Sequence, residues 1–233
     1  MNDRTALVTG ANKGIGKHIA RLLVAEGFTV HIGSRDPGRG RLAAEEVGGL
    51  PLVLDVTDHD SITRAASQVD GLDVLVNNAG ISPSLAPPAD TGLDELRNTF
   101  ETNVFGVVAV TNAFLPALRR SPHPRIVNVS SGTSSLVWST NPNPQFPHGN
   151  GNGAAYRSSK AALNALTVFY AQTLTGFKVN ALAPGLRATD LNARAATGGD
   201  PAEAAAGAVR LALLPEDGPT GGFFSWDGTA VPW

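Results

Sequence analysis

The 233-residue chain contains no cysteine, which excludes disulfide bridges, thiolate nucleophiles and cysteine-ligated metal sites together. Charge is scarce as well. Asp, Glu, Lys and Arg make up 16% of the chain and sum to a net −2, with no Lys/Arg block of the kind that holds nucleic acid or an anionic membrane. The five histidines show no metal-ligand spacing, so no metal is expected. The most apolar long segment, 104–118, carries Thr111, Asn112 and Pro116 and is too short to span a bilayer. Asp3 and Arg4 lead into an apolar run without a secretory pattern. These absences predict a soluble, cytoplasmic protein with a small-molecule partner, no nucleic acid and no membrane.

Glycine, by contrast, is plentiful at 26 residues, and 42% of the chain is hydrophobic, enough for a sizeable core and many tight turns. Strand-length apolar runs alternate with helical periodicity. Strands are predicted over 5–9, 28–33, 50–54, 72–76, 125–129, 178–182 and 222–226. Helices are predicted over 15–26, 39–47, 58–69, 93–120, 154–175 and 201–213, with Asp58 placed as an N-cap. Such alternation predicts an α/β fold, a doubly wound parallel sheet in one domain over 1–233. No repeat or linker interrupts it, and the one irregular stretch is 132–153.

Chemistry is concentrated where predicted strands end. Gly10, Asn12, Lys13, Gly14, Ile15 and Gly16 fall between the first strand and first helix. Glycines there let backbone approach a pyrophosphate, and the helix N-terminus adds free N–H groups and a positive dipole end. After the second strand, Arg35 with Lys13 offers two cations for a ribose 2′-phosphate, which favours NADPH/NADP+ over NAD. Asp36 rivals this as a ribose acceptor, but it sits past the strand beside Pro37, in a turn. Asp55, followed by Val56, either meets an adenine amino group or caps a turn. Asn77, Ala79 and Gly80 end the fourth strand, where a nucleotide ribose would approach. Tyr156 and Lys160 are four residues apart, hence on one helix face, where an ammonium would stabilise a phenolate.

Three of these segments, TGANKGIG, NNAG and YRSSK, in this order and spacing, resemble the short-chain dehydrogenase/reductase family. The resemblance runs from Thr5 to about Asp227. It implies a single Rossmann-like domain with a seven-stranded sheet, helices on both faces, and hydride transfer with a nicotinamide cofactor. It further implies Tyr156 as general acid and base, and Lys160 as the group that lowers the phenol and binds the nicotinamide ribose. Asn103 would support a proton-relay water, and Pro184, Gly185 and Thr189 would hold the carboxamide. Of the two serines ending the fifth strand, the pattern favours Ser131 to polarise the substrate oxygen, with Ser130 facing away.

One departure stands out: 24 residues separate Ser131 from Tyr156, where the family has about a dozen. The excess, 134–153, carries Trp138, Phe146 and His148 and resembles a longer insert of the carbonyl-reductase branch, as does the phrase GSRDPGRG. It would be a surface loop, line the substrate pocket, or cover an interface. Arg157 is expected to face solvent. The expected reaction is NADPH-dependent reduction of a ketone or aldehyde. The alternatives are NAD-dependent alcohol oxidation and a cofactor-binding sensor without turnover. Apolar residues such as Phe105, Val108 and Phe169 on the 93–120 and 154–175 helices, through which related reductases pair, predict a homodimer or homotetramer.

Overall fold

Successive residues of β1 (Thr5–Thr9) point to opposite faces, and Ala6 through Thr9 are all buried. Ala6 and Val8 join one apolar cluster and Leu7 the other. A strand apolar on both faces must be covered on both, which is the condition of a parallel sheet. The computed structural model, which describes residues 4–141, 151–192 and 195–233, meets that condition. The other strands are β2 (Thr29–Ser34), β3 (Leu50–Val53), β4 (Val74–Asn77), β5 (Arg125–Val129), β6 (Lys178–Ala183) and β7 (Phe223–Ser225). All neighbours run parallel, in the order β3-β2-β1-β4-β5-β6-β7.

Helices α1 (Gly14–Ala25), α2 (Pro37–Val47) and α8 (Pro201–Ala212) cover one face. On the other lie α3 (His59–Ala66), α5 (Gly106–Leu118) and α7 (Ala154–Thr173). The expected seven-stranded, doubly wound sheet is therefore present, with ends displaced by a few residues. A cap explains one displacement. Asp36 accepts from Arg39 N at 2.9 Å, so α2 starts at Pro37. Asp58 caps α3 as expected, accepting from Asp60 N and Ser61 N.

The single helix expected over 93–120 is interrupted. Between α4 (Leu93–Phe100) and α5 the chain makes one wide turn, Glu101–Phe105, in which Gly106 N–H reaches back five residues to Glu101 O. Wide turns of this kind cluster at functional positions, and this one carries Asn103. A side chain on Gly106 would meet Val56 O at 2.7 Å, so the helix lies flush on the loop after β3. The irregular stretch contains a helix that periodicity did not foretell, α6 (Leu136–Thr140). Phe146 and His148 lie outside the described residues. Among the described residues, no helix is long and apolar enough to cross a membrane.

Between β1 and β4 the strand order reverses, so the loops leaving these two strands open side by side. Their approach is close: a Cβ on Gly10 would stand 3.0 Å from Ala79 Cα. Below that crevice a buried polar network joins four elements. Asn77 Nδ2 donates to Thr111 Oγ1 (3.1 Å) and Asn128 Oδ1 (2.9 Å), and Asn128 Nδ2 donates to Thr167 Oγ1 (2.9 Å). Removing one member strands the others away from water. Asn128→Ala should therefore destabilise the protein by about 2–4 kcal/mol. Urea unfolding measures this, and a loss under about 0.5 kcal/mol would show that the network contributes little.

Candidate active site

A cleft of about 520 Å³ opens at the carboxyl ends of the strands. A cavity of similar size, about 550 Å³, lies at their amino ends and contains none of the motif residues. Gly10 and Gly14 line the cleft at φ 62° and 54°, conformations that a side chain would strain. A Cβ on Gly16 would fall 2.4 Å from Asn78 Nδ2. The first turn of α1 bears no acidic residue and no side-chain cap. Bare backbone, a dipole end and missing acceptors fit the pyrophosphate of a dinucleotide. Asn12, Lys13 and Ile15 line the same wall, and the Lys13 ammonium is 2.5 Å from the Asp190 carboxylate.

Beyond β2 the cleft is bordered by Arg35, which makes no ion pair among the described residues, and by Arg39. Asp36 also lines it, but its carboxylate caps α2 and lies 3.6 Å from Arg39 Nε. Asp55 and Val56 line the next stretch. Of the two readings left open for Asp55, the capping one is seen: its carboxylate accepts from Thr57 N (3.0 Å) and Thr57 Oγ1 (2.8 Å). Ala79 and Gly80 reach the cleft, whereas Asn77 does not, because its amide serves the buried network. The neighbour, Asn78, is the one that lines it, donating to Thr9 O at 2.9 Å.

The reactive groups meet at the inner end. Tyr156 and Lys160 share one face of α7 and line the cleft, with Lys160 Nζ 5.8 Å from the phenol ring centre. Ser131 acts on the Tyr156 phenol, drawing it down against burial. Ser131 is itself held by Thr133, through Oγ1 at 2.8 Å and the backbone N at 3.2 Å. Ser130 borders the cleft, as Ser131 does not, but its hydroxyl is buried and donates to Asn164 Oδ1 at 2.6 Å. Asn103 is buried and stitches two segments together. Its carbonyl accepts from Ile81 N (2.9 Å), and its amide donates to Ile81 O (2.9 Å) and Ser159 Oγ (3.0 Å).

The electrostatics differ from expectation. Lys160 is buried, donates to Val129 O at 2.8 Å, and has no anionic partner among the described residues; burial pulls its amine down to about 8. The Tyr156 phenol is raised above its ordinary value, because burial outweighs the opposing hydrogen bond from Ser131. An amine near 8 still carries most of its charge at neutral pH, so what raises the phenol is its own burial.

Pro184 and Thr189 line the cleft, while Gly185 stands outside the lining against Trp226. Arg157 does not face solvent as expected; it donates to Thr133 O (3.3 Å) and Ser139 Oγ (3.0 Å), tying the insert to α7. Trp138 turns from the cleft and packs with Ala181, Ala183, Phe223 and Val231. Arg39, Ser82 and Asp190 line the cleft without having been singled out from the sequence. Arg39 had one available sign, its place in the first turn beyond an Asp-Pro cap. Ser82 and Asp190 arrive by long-range chain folding that no local pattern announces.

A dinucleotide cradle at the switch point, leading to a Tyr–Ser pair backed by a buried Lys, defines a class of nicotinamide-dependent oxidoreductases. Residues 4–198 match the short chain dehydrogenase family. The chain is 34% identical to (−)-isopiperitenone reductase of Mentha piperita over 97% of both chains. It is 34% identical to salutaridine reductase of Papaver bracteatum over 95% of this chain and 94% of that one. A structure of NADPH-bound carbonyl reductase from chicken fatty liver superposes over 100% of both chains with a TM-score of 0.83 at 29% identity. The protein belongs to the short-chain dehydrogenase/reductase family, in its carbonyl-reductase-like branch. It is an oxidoreductase of C=O and CH–OH groups that takes a nicotinamide cofactor.

The Lys160 amine has a consequence for stability. Its folded value, about 8, lies below the ordinary 10.5. The unfolded chain therefore binds the proton more tightly between those limits, and stability rises with pH there. The burial penalty is full below about 8 and vanishes near 10.5. Relative to Lys160→Met, the wild type should gain about 2 kcal/mol between pH 7 and 9.5. Parallel denaturant curves at the two pH values measure it. A difference between the proteins that stays constant with pH would mean that the amine is not depressed.

Proposed function

We propose that the protein reduces a ketone or aldehyde with NADPH, using Tyr156 as the proton donor. The observation that carries this reading is the Tyr156 phenol, which lines the cleft beside the buried Lys160 and is raised by burial, so that it is protonated at neutral pH. A nicotinamide cofactor, when bound, supplies the hydride that reaches the carbonyl carbon. The chain's own part is to bind, orient and protonate. Gly10, Gly14 and Gly16 with Asn12 and Ile15 would hold the pyrophosphate, and Lys13, Arg35 and Arg39 the 2′-phosphate. Asp55 and Val56 would border the adenine, and Asn78, Ala79 and Gly80 the ribose beyond it. Lys160 would meet the nicotinamide ribose, and Pro184, Gly185 and Thr189 the carboxamide. Asn103 fixes the loop at Ile81 against α7, and the relay water would sit along its turn.

Ser131 would donate to the carbonyl oxygen as negative charge develops there, and Tyr156 would deliver its proton to the same atom. Oxidation with NAD is disfavoured by the same features. A raised phenol resists becoming the base, and Asp36 is committed to a helix cap. A silent sensor would have no use for the Ser131–Tyr156 pair. The similarity to a carbonyl reductase crystallised with NADPH supports the reading. So does the single nucleotide-binding and catalytic domain that we infer for 1–233, with the insert beside the site. Turnover with NADPH and a panel of quinones, cyclic ketones and β-keto esters tests it. Tyr156→Phe should lose about 10²-fold or more in kcat with NADPH affinity little changed. Ser131→Ala should lose more than Ser130→Ala. NADPH should bind about 10²-fold tighter than NADH. Near-normal kcat in Tyr156→Phe sinks the mechanism, and equal use of NADH sinks the cofactor assignment.

We also infer a homodimer or homotetramer paired through α4, α5 and α7. Phe105 and Phe169 remain 55% and 58% exposed on these elements. The described part of the insert does not cover them: α6 packs through Trp138 on β6 and β7, and Val137 N donates to Trp233 O at 3.2 Å. Two large rings left in water on adjacent helices favour a second copy as cover. Light scattering at micromolar concentration should give at least twice the 24.0 kDa chain mass, and Phe105→Glu with Phe169→Glu should give one chain mass. A monomeric wild type contradicts this.

A further inference from the structure

The geometry points to Asp190 as a specificity-determining residue that competes with a 2′-phosphate for Lys13. This deepens the NADPH reading above and rests on it. The segment from Pro184 to Asn192 crosses the cleft as a strap. Its base is firmly held: Arg187, 6% exposed, donates to Pro184 O at 2.6 Å, pairs with Glu203, and lies 4.3 Å from the Trp226 ring centre. Beyond this anchor the strap touches both banks. The Thr189 methyl lies 3.4 Å from where a Cβ on Gly14 would stand, and Asn192 Nδ2 donates to Ser82 Oγ at 3.1 Å. Between them Asp190 reaches the Lys13 ammonium at 2.5 Å.

This pairing bears unequally on the two cofactors. Of the three cations that would meet a 2′-phosphate, Arg35 has no ion-pair partner among the described residues and Arg39 meets Asp36 only at 3.6 Å. Lys13 is the one already closely paired. The Asp190 carboxylate is held ionised, chiefly by its hydrogen bond from Lys13, with Arg39 adding attraction. An arriving phosphate must displace that carboxylate or lie beside it at a like-charge cost. A ribose hydroxyl needs no cation and is indifferent to the pair. Asp190 therefore lowers affinity for the phosphorylated cofactor selectively and narrows the discrimination that Lys13, Arg35 and Arg39 create. Both partners are more than half exposed (54% and 65%), so the effect is moderate, about three- to tenfold at low salt, and it fades as salt rises.

Direct binding tests this without turnover. Calorimetric titrations would compare NADP+ with NAD+, and adenosine 2′,5′-bisphosphate with adenosine 5′-monophosphate, at low and high salt. The proteins are wild type, Asp190→Asn, Lys13→Gln and the double variant. Asp190→Asn should tighten both 2′-phosphorylated ligands about three- to tenfold and change the other two less than twofold. In the Lys13→Gln background that gain should disappear. Equal changes for all four ligands, no change, or a gain that survives Lys13→Gln would overturn the inference. Its failure is distinguishable from failure of the NADPH reading. If the wild type binds the bisphosphate no tighter than the monophosphate and Lys13→Gln is silent, the cofactor assignment falls. If Lys13→Gln weakens the bisphosphate while Asp190→Asn does nothing, only the role of Asp190 falls.

Discussion

The arrangement of this site depends on an amine kept from water with no counter-ion among the described residues. Lys160 is 4% exposed and spends its nitrogen on Val129 O, the last carbonyl of β5. Depressing an amine from 10.5 to about 8 corresponds to roughly 3 kcal/mol of disfavoured charge, a sizeable share of the stability of a domain. That cost is tolerated because the same contact fixes α7 against the end of β5. Tyr156, one turn earlier on α7, and Ser131, two residues beyond Val129, are thereby brought together. One lysine in this way sets the distance between a proton donor and an oxyanion donor that lie on separate elements.

Around that fixed point, polar side chains hold backbone in place. Asn103 bonds both backbone groups of Ile81, Asn78 holds Thr9 O, and Thr133 steadies Ser131. These are short side chains bonding loop amides and carbonyls that neither helix nor strand can satisfy. The walls of the cleft are therefore held by the chain's own hydrogen bonds. The exception is the strap from Pro184 to Asn192, whose base is buried but whose Asp190 and Lys13 are largely in water. Rigid chemistry at one end and an adjustable ionic contact at the other suit a site that must bind and release a large cofactor.

Much of this was legible in the residues. Strand and helix alternation announces the sheet because each strand of a doubly wound fold is apolar through its length, as Ala6, Leu7 and Val8 illustrate. The glycine turn and the shared helix face of Tyr156 and Lys160 follow from local spacing, and local spacing survives folding. Three readings went astray, each for a definable reason. Asn77 and Asn78 are adjacent, and only the sheet register decides which one faces the buried network. Arg157 looked solvent-facing because the carbonyl it meets, Thr133 O, lies 24 residues away in the chain. The phenol was expected to be lowered because a lysine stands one turn away; burial of the phenol itself, invisible to spacing, raises it instead. The pairing of Lys13 with Asp190 spans 177 residues and no motif foreshadows it.

The central claim is that Tyr156 rests as a neutral phenol ready to donate, not as a phenolate. The chain has two tyrosines, and Tyr170 reaches Asn112 from the outer surface at 2.9 Å. Tyr170→Phe therefore leaves Tyr156 as the sole tyrosine, whose ionisation can be followed by tyrosinate absorbance while circular dichroism verifies the fold. The account predicts that Tyr156 ionises above the ordinary value of about 10, and that adding Ser131→Ala moves it higher, since that hydrogen bond is what opposes burial. Tyrosinate absorbance already developed near neutral pH would contradict it.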